Sequence, residues 1–279
     1  MKKSNQKGAK IGIIISFVLI TMFFLGPLLW VLSLSFKTVD ELFYVPPKLF
    51  PETFSFENYR QALWQADIIT YLFNSIRIVV GTIIGIAIVT IPAGYGFSRI
   101  KFKGSKVIQF LVLIFQMISP LIISIPLYRY FSKLNLLNNW TTLTLIYIAI
   151  ALPFATWTLK GYFDTIPISI DEAGTIDGCS RWKVLTEILM PLIIPGFVSV
   201  IVIVFVTSWS QFIVPFIMIS DSRMFPISVG LVNLQSSSDT ISTQLLAAAC
   251  VIGIIPTIIV FIILQRYIVS ALTAGAVKG

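Results

Sequence analysis

Charged residues divide the chain into long uncharged stretches. Six of these, 11–36, 78–98, 107–128, 134–159, 188–220 and 240–265, are long enough to cross a hydrocarbon core as helix, which takes about 20 residues. None sustains the polar/apolar alternation of a spanning β-strand. Only helices and closed barrels satisfy their backbone inside lipid, so the pattern predicts an all-α, polytopic membrane protein with six transmembrane helices. Polar residues trim the fourth run to Trp140–Leu159, and the fifth is expected to be one helix from Leu192 to Ile219. The expected spans are thus about 11–36, 76–98, 107–128, 140–159, 192–219 and 244–265, all in one transmembrane domain covering 1–279.

Composition agrees. Of the 279 residues, 57% are hydrophobic and 11% charged, against roughly 25% charged in a soluble domain, and the mean hydropathy is +0.93. Histidine is absent and the two cysteines, Cys179 and Cys250, are far apart. A disulfide framework or a His/Cys metal site is therefore not supported. The net charge of +8 comes from 20 Lys and Arg dispersed between apolar runs, so it reads as a topology signal rather than a nucleic-acid surface.

Six spans put both termini on one side. That side carries Lys2, Lys3, Lys7, Lys10, Arg99, Lys101, Lys103, Lys106, Lys160, Arg181, Lys183, Arg266 and Lys278, thirteen of the 20 bases. The excess places both termini in the cytoplasm. Ile11–Leu34 is too long for a secretory signal and lacks a small-x-small cleavage site, so it reads as an uncleaved first span. Residues 37–67 and 220–243 are then external loops, and 160–191 is a cytoplasmic segment too long for a tight turn.

A carrier driven by protons or sodium usually keeps ionisable groups inside its spans, and none of the six runs contains a carboxylate; Asp67 and Glu187 stand only at helix ends. Arg77, at the external end of the second span, is expected to snorkel to the interface. No Gly-x-x-x-x-Gly-Lys-Ser/Thr occurs. The chain is not expected to be an enzyme or to hold a cofactor, and if it pumps, its energy comes from a partner.

Between Thr165 and Pro191 the local chemistry predicts two short helices. Ser169 and Glu172 fit a capping box after Pro167, Gly178 supplies a turn, and Ser180 caps a second helix carrying Trp182, Leu185, Ile188 and Leu189 at helical spacing. Glu172-Ala173-Gly174, Asp177-Gly178, Ile188 and Pro191 resemble the EAA motif of ABC importer permeases, with Gly174 in place of the second Ala, Met190 in place of the Leu before Pro191, and Cys179 where Ala is common.

Phe36-Lys37-Thr38 with Pro46-Pro47, Phe56-Glu57-Asn58-Tyr59 and Ala62-Leu63, Asn74-Ser75, Ala93 to Arg99, and the tail from Gln265 to Gly279 are similar to the carbohydrate-uptake permeases that include the smaller permease of the maltose transporter. The resemblance implies a multi-pass ABC type I importer permease for a carbohydrate, in a bacterial plasma membrane. It also implies a second homologous permease, two ATP-binding-cassette ATPase subunits that hydrolyse the ATP, an extracytoplasmic solute-binding protein, and contact with membrane lipid but not nucleic acid. A polyol or sugar phosphate is the alternative substrate, and a secondary carrier or channel subunit the remoter reading. Glu172, Ala173, Gly174, Asp177, Gly178 and Pro191 would couple to the ATPase: the small residues by close approach, the carboxylates by pairing with partner bases.

Sugars are held by hydrogen bonds and aromatic faces, which makes Gln116, Trp209 and Gln211 the candidates for the substrate pathway; Asn74, Ser75, Ser119, Ser208 and Ser210 are further polar groups in or beside spans. In the loop 220–243, uncharged between Arg223 and Asp239, Gly230, Asn233, Gln235 and Ser236–Ser238 are candidates for contact with the binding protein.

Overall fold

The computed structural model describes residues 2–100, 102–236 and 243–276, and among them every regular element is helical. The α-helices are α1 (Lys2–Ser35), α2 (Glu57–Trp64), α3 (Ile68–Arg99), α4 (Ser105–Gln116), α5 (Pro120–Lys133), α6 (Trp140–Thr165) and α7 (Ile168–Ile176). Then α8 (Arg181–Lys183) runs through a π-helical stretch, Val184–Leu189, into α9 (Met190–Trp209); α10 (Ile213–Met218), α11 (Ile227–Ser236) and α12 (Thr243–Ala276) follow. Five stretches are long and apolar enough to cross a membrane, in α1, α3, α6, α8–α9 and α12, and the α4–α5 pair makes a sixth if the two count as one span. Pro27, Pro92, Pro153, Pro195 and Pro256 lie inside long helices without ending them, as lipid-embedded helices tolerate.

Two of the runs expected as continuous helix are broken. The third turns by 91° between α4 and α5. Pro120 is the cause: its ring disfavours helical backbone at the residue before it, and Ser119 is extended, with its hydroxyl accepting from Leu121 N at 3.3 Å. The fifth ends at Trp209 and resumes as α10. There the Thr207 and Ser210 hydroxyls donate back to the carbonyls of Ile203 and Val206, both at 2.8 Å, bonding of a kind that bends helices. The Gln211 carbonyl takes the Ser228 hydroxyl at 2.7 Å instead.

The chain divides into two compact units, Met1–Ile69 with Leu231–Ile254, and Thr70–Gly230 with Ile255–Gly279. Within the second, α6 has a packed cluster toward each end. Near its start Leu143, Ile146 and Tyr147 pack with Ile78 and with Val214, Met218 and Ile219; toward its end Ala155, Leu159 and Phe163 pack with Val184, Leu185, Leu189 and Ile193.

The segment 220–227 is tied down by side chains. Asn74 Nδ2 donates to the carbonyls of Arg223 (2.9 Å) and Phe225 (3.0 Å), and Ser75 Oγ accepts from Ile227 N at 2.8 Å. Trp140 Nε1 donates to Met224 O at 3.3 Å, and the Arg77 guanidinium lies 4.3 Å from the Trp140 ring. Arg77 is therefore stacked on an indole, and Asn74 and Ser75 serve backbone capping. In the first unit, 37–67 is a built segment with a 3-10 turn at Asp40–Phe43 and helix α2.

Candidate functional site

The segment after α6 forms the predicted helical hairpin. Its first helix starts two residues earlier than a Ser169 cap requires: Pro167 is the N-cap, without a side-chain cap bond, and Ser169 lies inside α7. Proline needs no N–H there and its fixed φ suits a helix start, so it displaces the capping box. The other end behaves as expected. Cys179 N donates to Gly174 O at 2.9 Å and Gly178 N to Thr175 O at 3.1 Å, with Gly178 at φ +83°, the paired bonds of a Schellman stop. Ser180 caps the second helix, accepting from Lys183 N at 3.3 Å.

Gly174 has a role within the chain. It is buried, and a Cβ there would stand 2.6 Å from Ile188 Cδ1 and 3.2 Å from Val184 Cγ2, so its smallness closes α7 onto the π-helical stretch. That stretch also shifts the expected face. Val184, Leu185 and Leu189 are buried while Trp182 is 65% exposed, since a widened turn rotates the phase of everything before it. Glu172, Ala173, Asp177, Gly178 and Pro191 are all exposed, and Ile176 beside them is 85% exposed.

The hairpin is held to α3 by a pair that the sequence did not single out. Arg99 Nε lies 3.2 and 3.1 Å from the two Asp171 carboxylate oxygens, and the side chains are only 8% and 13% exposed. The same guanidinium donates to Ile166 O at 2.9 Å, and Ser98 Oγ donates to Asp164 at 2.7 Å. Neither residue is paired by the spacing; the signal is a Ser-Arg at a span end and an acid just before Glu172. Tyr95, Arg99, Asp171, Glu172 and Arg181 line an open groove of about 750 Å³ between α3 and the hairpin.

The pathway candidates are less concentrated. Gln116 is exposed at the end of α4, before the bend. Trp209 is 7% exposed and stacks on Phe205 with centroids 5.4 Å apart, so its ring is packed inside the protein. Gln211 sits in the opening between α9 and α10. Of the external candidates, Gly230 is buried, and a Cβ would meet the Tyr71 ring at 2.2 Å; it is a packing residue. Asn233 is half-buried and Gln235 exposed on α11, so part of the expected loop is helix. Ser237 and Ser238 lie outside the described residues.

The arrangement is a small hairpin, anchored to one span end by a nearly buried ion pair and continuous with α9, with a mixed charged and apolar face outward. Residues 88–274, which include the whole hairpin, match the family model described as binding-protein-dependent transport system inner membrane component. The permease of the sulfoquinovosyl glycerol transport system of Agrobacterium fabrum is 32% identical over 255 residues, 91% of this chain and 89% of its own length. The trehalose/maltose transport system permease of Thermococcus litoralis is 34% identical over 274 residues, 97% of each. Among solved structures, a bacterial ABC transporter involved in import of the acidic polysaccharide alginate matches with a TM-score of 0.80 at 21% identity, over 93% of this chain and 97% of that one. With helices, hairpin and relatives in agreement, the chain belongs to the binding-protein-dependent transport system inner membrane components, the non-enzymatic membrane-spanning permeases of ABC transporters.

Proposed function

We propose that this chain is one of two permease subunits of an ABC importer for a carbohydrate, most simply an oligosaccharide. It works with a second homologous permease, two ATPase subunits and an extracytoplasmic solute-binding protein, and both its termini are cytoplasmic. ATP is hydrolysed by the partner, and this chain converts the partner's closure into movement of its spans. The observation that carries the reading is the hairpin Ile168–Leu189: its outward face offers Glu172, Ala173, Ile176 and Asp177 to a partner, while Arg99 and Asp171 tie it to α3. Ligand-driven closure moves such an element only if the partner's states contact it differently. The sugars in the relatives' names, sulfoquinovosyl glycerol, trehalose and maltose, support the substrate class. Gln116 and Gln211 are the proposed pathway residues, and Gln235 and Asn233 the proposed binding-protein contacts.

The test is reconstitution in vesicles with the second permease, the ATPase and the binding protein, loaded with ATP and offered a panel of oligosaccharides. Uptake is expected only with all components and ATP. Uptake by this chain alone, or without ATP, would overturn the proposal.

A further inference from the structure

Residues 37–59 follow the last turn of α1 and are folded back onto it. Ser55 N donates to Phe36 O at 2.9 Å, and Asn58 Nδ2 donates to Ser35 O at 3.0 Å and Lys37 O at 2.8 Å. The hydroxyls of Ser35 and Tyr59 are 2.6 Å apart. The Ser33 hydroxyl reaches the Leu49 carbonyl and the Lys37 ammonium the Lys48 carbonyl. Phe36 packs against the rings of Phe54, Phe56 and Tyr59 at 5.1–5.6 Å. Residues 48–59 are thus fixed at the level of 33–37, where the apolar stretch Gly12–Ser35 ends.

Much of this segment is inverted in polarity relative to a loop in water, with the Lys48–Glu52 ion pair as its exposed charged part. Ser35, Lys37, Glu41 and Asn58 are buried, and Glu41 takes the backbone N–H groups of Glu52 and Thr53 at 3.2 and 3.3 Å. Outside are Phe43, Val45, Leu49, Phe50, Phe54 and Phe56, each 61–94% exposed. Segments with aromatic and apolar residues outward at the end of a span, and a lysine beside a tyrosine, as Lys48 is 5.0 Å from the Tyr44 ring, have the composition of the membrane–water boundary. The patch also continues the apolar surface of α1, none of whose spanning window is buried.

We propose that residues 43–56 are an interfacial anchor, seated in the headgroup–acyl boundary of the leaflet at the Ser35 end of α1, with phospholipid as the occupant. The anchor fixes the depth of α1 in the bilayer.

The test uses the assembled transporter in phosphatidylethanolamine/phosphatidylglycerol vesicles. With Cys179 and Cys250 replaced by Ser, a nitroxide is attached at Phe50→Cys and, separately, at Phe54→Cys. Collision with dissolved oxygen is expected to exceed collision with a water-soluble nickel chelate at both positions. The opposite order would mean a loop in water, and protection from both reagents would mean a protein cover; either overturns the proposal. On the unsubstituted transporter, a phospholipid with a photoactivatable carbene precursor near its glycerol should label the peptide containing 43–56. Labelling of the α1 peptide without that one would overturn it as well.

Discussion

Arg99 and Asp171, 72 residues apart in sequence, meet in a nearly buried ion pair 3.1 Å long that joins the end of α3 to the first helix of the hairpin. The neighbouring acid, Glu172, faces outward. Two adjacent carboxylates therefore divide: one is used inside the chain, and the other is the one proposed to meet a partner.

Removing one member of a buried pair leaves the other charge uncompensated, at a cost of about 3–5 kcal/mol. Asp171→Asn and Arg99→Ala are each expected to lower the thermal midpoint of the purified complex and to abolish transport, with insertion into the membrane retained. Arg99→Lys keeps the charge but loses the forked geometry, and should transport at an intermediate rate. Glu172→Lys should leave the midpoint unchanged and reduce ATPase association. If Asp171→Asn transports normally at normal expression, the pair does not hold the mechanical joint.

The two hairpin glycines should fail in different ways. Gly174→Val places atoms into Ile188 and Val184, an overpacking that costs about 1–3 kcal/mol. Gly178 has open space around its Cβ position and a φ of +83°, so the cost of Gly178→Ala is conformational, about 1–2 kcal/mol. Gly178→Asn, which tolerates that region, should retain most transport. Trimming Ile188→Ala should partly restore Gly174→Val and have no such effect on Gly178→Ala; rescue of both, or of neither, would contradict the assignment.

Much of this was legible from spacing. Charge-free runs locate helices because a buried charge is costly, and Gly178 and Ser180 announce the turn because only certain residues fit those backbone sites. The breaks before Pro120 and after Trp209 were hidden by uniform apolarity: hydropathy does not distinguish one straight helix from two. Pairing across 72 residues, as between Arg99 and Asp171, leaves no periodic trace. The inward use of Gly174, and the burial of Trp209 and Gly230, depend on which neighbour happens to face them, which residue type alone does not encode.

Asn74 is read as a structural clamp on 223–227, not as a substrate group. Asn74→Ala leaves the Arg223 and Phe225 carbonyls without their donor, at about 1–3 kcal/mol. Expected are faster hydrogen exchange in residues 223–230 and a lower thermal midpoint, with the apparent KM for sugar unchanged in the surviving transporter. A raised KM with unchanged exchange would instead place Asn74 in the pathway.

Orientation can be tested at two exposed positions, Lys103 and Ser222. The basic stretch 99–106 belongs to the side that carries thirteen of 20 bases, and that excess should hold it in the cytoplasm. Ser222, in the turn Ser222–Met224, belongs to the other side and is exposed. Cys179 and Cys250 are both partly accessible, so they are first replaced by Ser. In intact cells a membrane-impermeant maleimide should then label Ser222→Cys and spare Lys103→Cys, which is also exposed; permeabilisation should bring Lys103→Cys to full labelling. The reverse order would invert the proposed topology and put the hairpin on the wrong side for an ATPase. Equal labelling of both in sealed cells would mean that α4 and α5, with their 91° bend, do not complete a crossing, because Lys103 and Ser222 are separated by three passages only if that pair counts as one.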